Sequence, residues 1–155
     1  KEYLDFEKVI ACGGSWMVKK DLIKAGKFEE IERLTAEAVT KMLGFTLSHV
    51  GINAQDEASA NKTADTFEAF FGMAKKEGKS SVFAGTGIEV MKTPYLGTNG
   101  HIAVGTNDME RAVYHLERRG ISFAEATAKR DEKGKLKAIY LKDEIGGFAV
   151  HLVQK

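Results

Sequence analysis

The chain has 155 residues, 43% hydrophobic and 29% charged, which is typical of a folded globular protein of one domain or of a small domain with an appendage. Its 23 basic and 22 acidic residues nearly cancel, so nothing in the charge balance indicates a nucleic-acid-binding protein. The chain has no run of eighteen apolar residues, no apolar signal-peptide core at its start and a single cysteine, Cys12, so we expect a cytoplasmic protein without a membrane segment.

The first forty residues follow a strand-turn-helix pattern. The apolar run at residues 9–12, closed by Gly13-Gly14-Ser15, predicts a strand buried on both faces that enters a tight turn. Apolar residues at helical spacing follow, with a break near Gly26 and an end at Gly44. They are Leu22, Ile23, Phe28, Ile31, Leu34, Ala38 and Met42. Residues 1–43 are therefore predicted to form one strand-turn-helix unit.

From Phe45 onward the chain repeats itself. A strand around His49 precedes a helix over about residues 56–71 and strands that end at residues 87–91. The second copy opens at His101, 52 residues later, with a helix capped by Asn107 and Glu110, a hairpin turn at residues 131–134 and a last strand at 148–153. This pattern predicts an α+β fold of two βαβββ modules over residues 45–155.

Four strands of this repeat each carry one candidate metal ligand next to small residues. They are His49, Glu89, His101 and His151. A single histidine or glutamate on a strand face is usually an ordinary polar residue, but the equivalent positions in two copies favour a shared site. Three imidazoles and one carboxylate suit Zn²⁺, Ni²⁺, Fe²⁺, Mn²⁺ or Co²⁺. The remaining histidine, His115, is predicted to lie on a helix as a surface or packing residue.

The segments that carry these four residues resemble the metal-bearing strands of the glyoxalase/bleomycin-resistance/extradiol-dioxygenase superfamily, the vicinal oxygen chelate proteins. The segments are Ser48-His49-Val50, Ile88-Glu89-Val90, Gly100-His101-Ile102-Ala103-Val104 and Phe148-Ala149-Val150-His151-Leu152. The resemblance implies two βαβββ modules that form a cup around a metal bound by His49, Glu89, His101 and His151. His151 departs from the glyoxalase I branch, where a glutamate takes part in proton transfer. Glu89 is then the catalytic candidate, as ligand, as general base or alternating between the two.

The first forty residues resemble the C-terminal end of 2-keto-3-deoxy-6-phosphogluconate (KDPG)/4-hydroxy-2-oxoglutarate aldolase. The resemblance rests on residues 9–16, 20–26 and 31–39, and above all on Gly13-Gly14-Ser15-Trp16. It implies that Gly13, Gly14 and Ser15 belong to a phosphate-binding turn of a (β/α)₈ barrel, which backbone N–H groups at a helix start would favour. No lysine of this chain matches the family's Schiff-base motif. We therefore expect the C-terminal part of a longer class I aldolase, which does not itself cleave a phosphorylated sugar acid.

Together the two resemblances imply a lyase parent protein with a metal-dependent domain, which we expect to isomerise or epimerise a 2-keto sugar acid. Three alternatives stay open for residues 45–155: a metabolite-binding or regulatory module, a scaffold that sets the oligomeric state, and a lactoylglutathione-lyase-like enzyme. The apolar stripe of residues 3–43 is expected to pack on the second domain or on the same segment of another copy, which predicts a homo-oligomer such as a dimer.

Overall fold

A computed structural model describes residues 2–6 and 8–155 of the chain. The chain forms two compact units, Lys1–Gly44 and Phe45–Lys155, called here the N-terminal and the C-terminal unit. Within the described residues, no helix has both the length and the hydropathy that a membrane crossing requires.

The N-terminal unit is helical. It contains α1 (Glu2–Asp5), a short 3₁₀ helix (Ser15–Met17), α2 (Lys20–Lys24) and α3 (Phe28–Leu43). The predicted break near Gly26 separates α2 from α3, and Gly44 ends α3 with a positive φ of 58°, which glycine adopts without steric cost. Glu30, Arg33 and Glu37 form ion pairs along the exposed side of α3.

The strand predicted at residues 9–12 is wrong. These residues have no regular secondary structure, and the side chain of Ile10 is 92% exposed. A strand is stabilised by hydrogen bonds to a neighbouring strand, and the described part of this unit supplies none. The predicted burial is wrong as well, because Ile10, Ala11 and Cys12 are exposed, and an apolar run alone cannot show whether a partner strand is present.

The C-terminal unit consists of two modules with the same order of elements. The first module comprises β1 (Thr46–Asn53), α4 (Glu57–Phe71), β2 (Lys75–Glu77), β3 (Ser81–Ala84) and β4 (Ile88–Met91). The second comprises β5 (His101–Thr106), α5 (Met109–Glu117), β6 (Lys129–Arg130), β7 (Leu136–Tyr140) and β8 (Ala149–Gln154). The predicted βαβββ repeat and the α+β class are thus confirmed.

All eight strands join into one sheet with the order β2-β3-β4-β1-β5-β8-β7-β6. In each module the last strand pairs in parallel with the first, as β4 does with β1 and β8 with β5. The two first strands, β1 and β5, pair antiparallel at the centre of the sheet. This arrangement makes the modules equivalent about the β1–β5 pair and brings the four predicted ligand-bearing strands side by side.

Helix α4 covers one face of the first module. Asp56 caps its start by accepting a hydrogen bond from Ser59 N at 2.7 Å. Ala60 and Ala64 are fully buried and pack in a core with Val82 and Val90. Because side chains alternate along a strand, this core fixes the opposite face of β1 and β4 as the side that carries the histidines and Glu89.

Helix α5 begins one residue later than predicted. Asp108, and not Asn107, is the N-cap, and its carboxylate accepts a hydrogen bond from Arg111 N at 2.9 Å. Asn and Asp are both good cap residues and are adjacent here, so the sequence does not distinguish them. The predicted hairpin turn is present between β6 and β7, where Asp131 Oδ1 accepts hydrogen bonds from Lys133 N and Lys135 N.

Candidate metal centre

The four predicted ligands lie on four adjacent strands, on one face of the sheet. In one row across the sheet, Gly51 of β1 lies between Glu89 of β4 and His101 of β5. In the next row, Ala103 of β5 lies between His49 of β1 and His151 of β8. A small residue therefore separates the ligands of each row, which leaves room for the larger side chains to meet above it.

The three imidazoles meet at short range and form what we call the histidine cluster: His49, His101 and His151. Their ring centroids are 5.4 Å (His49–His101), 5.5 Å (His49–His151) and 5.3 Å (His101–His151) apart. One nitrogen from each ring lies within 4.8 Å of one from each of the others. This spacing suits three ligands that converge on one ion.

Glu89 completes the set. Its Oε2 lies 3.0 Å from His49 Nε2 and 3.1 Å from His101 Nε2, while its Oε1 accepts a hydrogen bond of 2.6 Å from Ser81 Oγ. Burial alone would raise the pKa of this carboxyl, but the contacts with His101, His49 and Ser81 outweigh it and hold the pKa of Glu89 well below its usual range. Glu89 is therefore a carboxylate at neutral pH.

Several buried nitrogens of the cluster lack a hydrogen-bond partner among the described residues. They are His49 Nε2, His101 Nδ1 and both ring nitrogens of His151. His49 Nε2 is near Glu89 Oε2 but lies off the direction of a hydrogen bond. Buried polar atoms without partners are costly, and neutral imidazole nitrogens with free lone pairs are ready metal ligands.

The protonation state of His151 also suits metal binding. Burial, and then the neighbouring His101 and His49, lower the pKa of His151 to about 3. This imidazole is therefore neutral at pH 7, the form in which histidine binds a metal. The described residues thus fit a divalent cation both in their arrangement and in their charge.

Gly51 is required for this packing. A Cβ atom added at position 51 would overlap the ring of His101, which lies directly over the backbone there. The strand β1 also carries an irregularity between Leu47 and His49, where two residues of β1 advance against one of β5. Such bulges reorient side chains near functional sites, and this one places His49 on the same face as Ala103 and His151.

Three residues beside the cluster were missed from the sequence. Ser81 holds Glu89, the ring of Phe83 meets His49 edge-on at 5.6 Å, and Tyr140 stacks on His151 at 4.5 Å with an angle of 18° between the rings. Burial, with added contributions from Tyr95 and Glu89, raises the pKa of the Tyr140 hydroxyl, which therefore stays protonated. The alternation of side chains along β3 and β7 could have indicated these residues. It identifies them only when the register of β3 with β4 and of β7 with β8 is known.

The predicted phosphate-binding residues lie in the N-terminal unit. Gly13 and Gly14 precede the 3₁₀ helix that begins at Ser15, and the indole of Trp16 covers Gly14 so closely that a side chain there would collide with it. A role for Gly13, Gly14 and Ser15 in binding phosphate stays a prediction.

Comparison with known proteins gives one short sequence match. The chain is 44% identical over 39 residues to a 2-dehydro-3-deoxy-phosphogluconate aldolase from Haemophilus influenzae. This match covers 25% of the chain and 18% of the aldolase, so the chain spans only a small part of that relative. The chain matches no model of a known protein family.

Solved structures show a broader likeness. A Streptomyces coelicolor methylmalonyl-CoA epimerase in complex with 2-nitronate-propionyl-CoA matches 71% of this chain and 94% of its own, with a TM-score of 0.51 and 16% identity. A methylmalonyl-CoA epimerase from Mycobacterium tuberculosis matches 73% of this chain and 89% of its own, with a TM-score of 0.50 and 16% identity. At these identities the likeness concerns the fold alone. The paired modules and their eight-stranded sheet match the glyoxalase, or vicinal oxygen chelate, fold.

Proposed function

We propose that residues 45–155 form a metal-dependent isomerase or epimerase domain, in which His49, Glu89, His101 and His151 bind one divalent cation. The observation that carries the proposal is the convergence of three imidazoles within 4.8 Å, two of them buried and one partly buried, beside a carboxylate and with nitrogens that lack hydrogen-bond partners among the described residues. The donor set of three nitrogens and one oxygen suits Zn²⁺, Ni²⁺, Mn²⁺, Fe²⁺ or Co²⁺.

The proposed reaction is the isomerisation or epimerisation of a 2-keto sugar acid. A bound divalent cation would polarise a carbonyl oxygen and so acidify the neighbouring C–H bond. Glu89 is the carboxylate of the set, and we propose that it takes the proton at Oε2, the oxygen that faces the imidazoles, and then returns it to carbon to complete the isomerisation or epimerisation. His49, His101 and His151 would hold the cation in place through their ring nitrogens.

Two observations support an acidic substrate. Lys129 pairs with Ala138 in the sheet, and its positive charge contributes to lowering the pKa of His151, after burial and the two other histidines. Lys129 forms no ion pair in the part of the chain that the structure describes. Among the solved neighbours is a methylmalonyl-CoA epimerase in complex with methylmalonyl-CoA, a ligand that also carries a carboxylate.

For residues 1–43 we propose an origin as the C-terminal part of a KDPG/4-hydroxy-2-oxoglutarate aldolase. The 39-residue match to such an aldolase supports this origin. The chain offers no lysine that matches the Schiff-base motif, so it should not cleave the sugar acid itself. Borohydride trapping with pyruvate tests this statement, and a specific pyruvyl adduct on any lysine would contradict it.

Self-association is proposed for the same segment. Tyr3, Ile10, Trp16 and Phe28 are exposed apolar side chains of the N-terminal unit, and burying such a side chain is worth about 1.5 to 3 kcal/mol. We expect residues 3–43 to promote a homo-oligomer. Light scattering of the full chain and of residues 45–155, over a range of concentrations, compares the two. The same number of chains per particle for both proteins at every concentration would remove the support for this role.

Metal content provides the first test of the proposed centre. The untagged protein, loaded with Zn²⁺, Mn²⁺, Co²⁺, Ni²⁺ or Fe²⁺ and then dialysed, should retain about one ion per chain by mass spectrometry. His115→Ala is the matched control, since His115 lies on α5 outside the cluster. The control should keep the ion. A wild-type protein that retains none at neutral pH would refute the centre.

Proton exchange provides the test of the reaction. The loaded protein is incubated in D₂O with a panel of 2-keto sugar acids, and the hydrogens beside the carbonyl are followed by proton NMR. We expect loss of one of these signals, or the appearance of an isomer, with the loaded protein and not after chelation. A binding module would hold the metal and shift substrate signals without exchanging any proton.

A further inference from the structure

The two oxygens of Glu89 have different surroundings. Oε2 faces the imidazoles of His49 and His101 at 3.0 and 3.1 Å, whereas Oε1 accepts the 2.6 Å hydrogen bond from Ser81 Oγ. Ser81 is 5% exposed and lies on β3, so its hydroxyl is buried and is not a mobile surface group. One oxygen is thus anchored by the protein, and the other is directed at the cluster.

The second module lacks this anchor at the equivalent place. On β3 and β4, Ser81 is opposite Met91 and Phe83 is opposite Glu89; on β7 and β8, Ala138 is opposite Val153 and Tyr140 is opposite His151. Ser81 therefore corresponds to Ala138, just as Glu89 corresponds to His151. The hydroxyl is present beside the strand that bears a carboxylate and absent beside the strand that bears an imidazole. An imidazole has no second oxygen that could accept a hydrogen bond from such a hydroxyl.

We propose that Ser81 is a positioning residue that selects Oε2 as the working oxygen of Glu89. This role rests on the proposed metal centre, since it concerns how Glu89 is presented to the cation. By occupying Oε1, the hydroxyl prevents the carboxylate from turning about its terminal bond and from offering both oxygens to the cluster. Glu89 then acts through the same oxygen whether it binds the cation or takes a proton.

Removal of the hydroxyl should leave a partly buried carboxylate oxygen without its donor. The carboxylate would turn, and the coordination around the cation would change. Residues that orient a metal ligand in this way typically contribute about 10- to 100-fold to metal affinity. We expect a loss of that size when the hydroxyl is removed and its recovery when a hydroxyl is restored.

The test uses the full chain and four variants. Ser81→Ala removes the hydroxyl, whereas Ser81→Thr and Ser81→Val have the same shape and differ only in hydroxyl against methyl. Ser80→Ala is the matched control, because Ser80 is the exposed neighbouring serine whose backbone oxygen, and not its side chain, accepts the bond from Lys92 N. Circular dichroism verifies folding. Affinity for Co²⁺ is measured by competition with a chromophoric chelator, and the visible absorption of bound Co²⁺ reports the coordination geometry.

The proposal expects Ser81→Ala and Ser81→Val to bind Co²⁺ about 10- to 100-fold more weakly and with an altered visible spectrum. Ser81→Thr and Ser80→Ala should keep the affinity and spectrum of the wild type. If Ser81→Ala does not fold, the Thr and Val pair decides the question. Wild-type affinity and spectrum in both Ala and Val variants would overturn the role of Ser81 alone. A wild-type protein that binds no Co²⁺ would overturn the metal centre and this role together.

Discussion

The two modules of the C-terminal unit share one backbone plan and differ in the side chains that complete the candidate centre. Each module opens with a histidine at an equivalent position, His49 and His101, on the two central strands. The last strands then diverge, with Glu89 in the first module and His151 in the second. The residues next to these last ligands differ as well. The repeat thus fixes where the four candidate ligands meet, and the residues beside each candidate ligand differ with its chemistry.

Loss of one of the two equivalent histidines should have the largest effect on metal binding. His101 is 2% exposed and contacts both other imidazoles and Glu89, so its removal deletes a ligand at the centre of the set. His101→Ala should retain no stoichiometric metal after dialysis, by mass spectrometry. The His115→Ala variant provides the matched histidine loss outside the centre. Full retention of metal by His101→Ala would show that the modules do not share one site.

A second difference between the modules lies at Gly51 and Ala103, the small residues of the two rows. Because the His101 ring lies directly over Gly51, Gly51→Ala should displace that ring and weaken metal binding by about 100-fold, at the upper end of the effect of disturbing a ligand's support. Ala103→Gly only removes a methyl group at the equivalent position and should keep the metal. Isothermal titration with Zn²⁺ compares the two variants. Equal affinities would contradict the claim that only the first module needs a glycine.

Much of this centre was predictable from the sequence, for a physical reason. Alternation along a strand fixes which residues share a face, and a repeated motif implies equivalent places in space, so His49, Glu89, His101 and His151 could be named together. Their convergence within one cluster is what the structure adds. Whether they bind a metal is still a prediction.

Other features depended on contacts that the sequence does not encode locally. Ser81 and Tyr140 act on residues of neighbouring strands, and those neighbours are known only once the register of β3–β4 and β7–β8 is known. The strand expected at residues 9–12 failed for a related reason, because its apolar run needs a partner strand that the described part of the N-terminal unit does not supply. Local sequence patterns thus predicted most helices and strands, whereas the pairing of the strands determines which side chains contact the candidate centre.

The modules differ thirdly in the side chain that contacts the candidate ligand on the last strand. The hydroxyl of Ser81 contacts Glu89, whereas the ring of Tyr140 contacts His151. Neither nitrogen of His151 has a hydrogen-bond partner among the described residues, and Tyr140 is the ring that stacks nearly parallel on this imidazole and so supports its plane. Tyr140→Phe keeps the ring and should bind Zn²⁺ like the wild type, whereas Tyr140→Leu should bind about tenfold more weakly, at the lower end of the effect of such supports. Competition titration measures both. A loss in Tyr140→Phe as large as in Tyr140→Leu would assign the effect to the hydroxyl.

The smallest and most specific effect should come from making the second module resemble the first. His151→Glu places a second carboxylate at the position equivalent to Glu89, but the residue that corresponds to Ser81 is Ala138, so this carboxylate has no donor for its second oxygen. Carboxylate is also an accepted ligand, and we expect this variant to keep a metal with reduced affinity.

Adding Ala138→Ser supplies the missing hydroxyl on the neighbouring strand, diagonal to position 151 as Ser81 is to Glu89. The double variant should recover affinity beyond the sum of the single changes, with a coupling of about 1 kcal/mol, or roughly fivefold, as is common for residues in direct contact. Zn²⁺ titrations of the wild type, Ala138→Ser, His151→Glu and the double variant give this coupling directly. Strictly additive effects would mean that the hydroxyl and the carboxylate do not act as a pair, and that the presence of Ser81 beside Glu89 is not tied to the carboxylate it contacts.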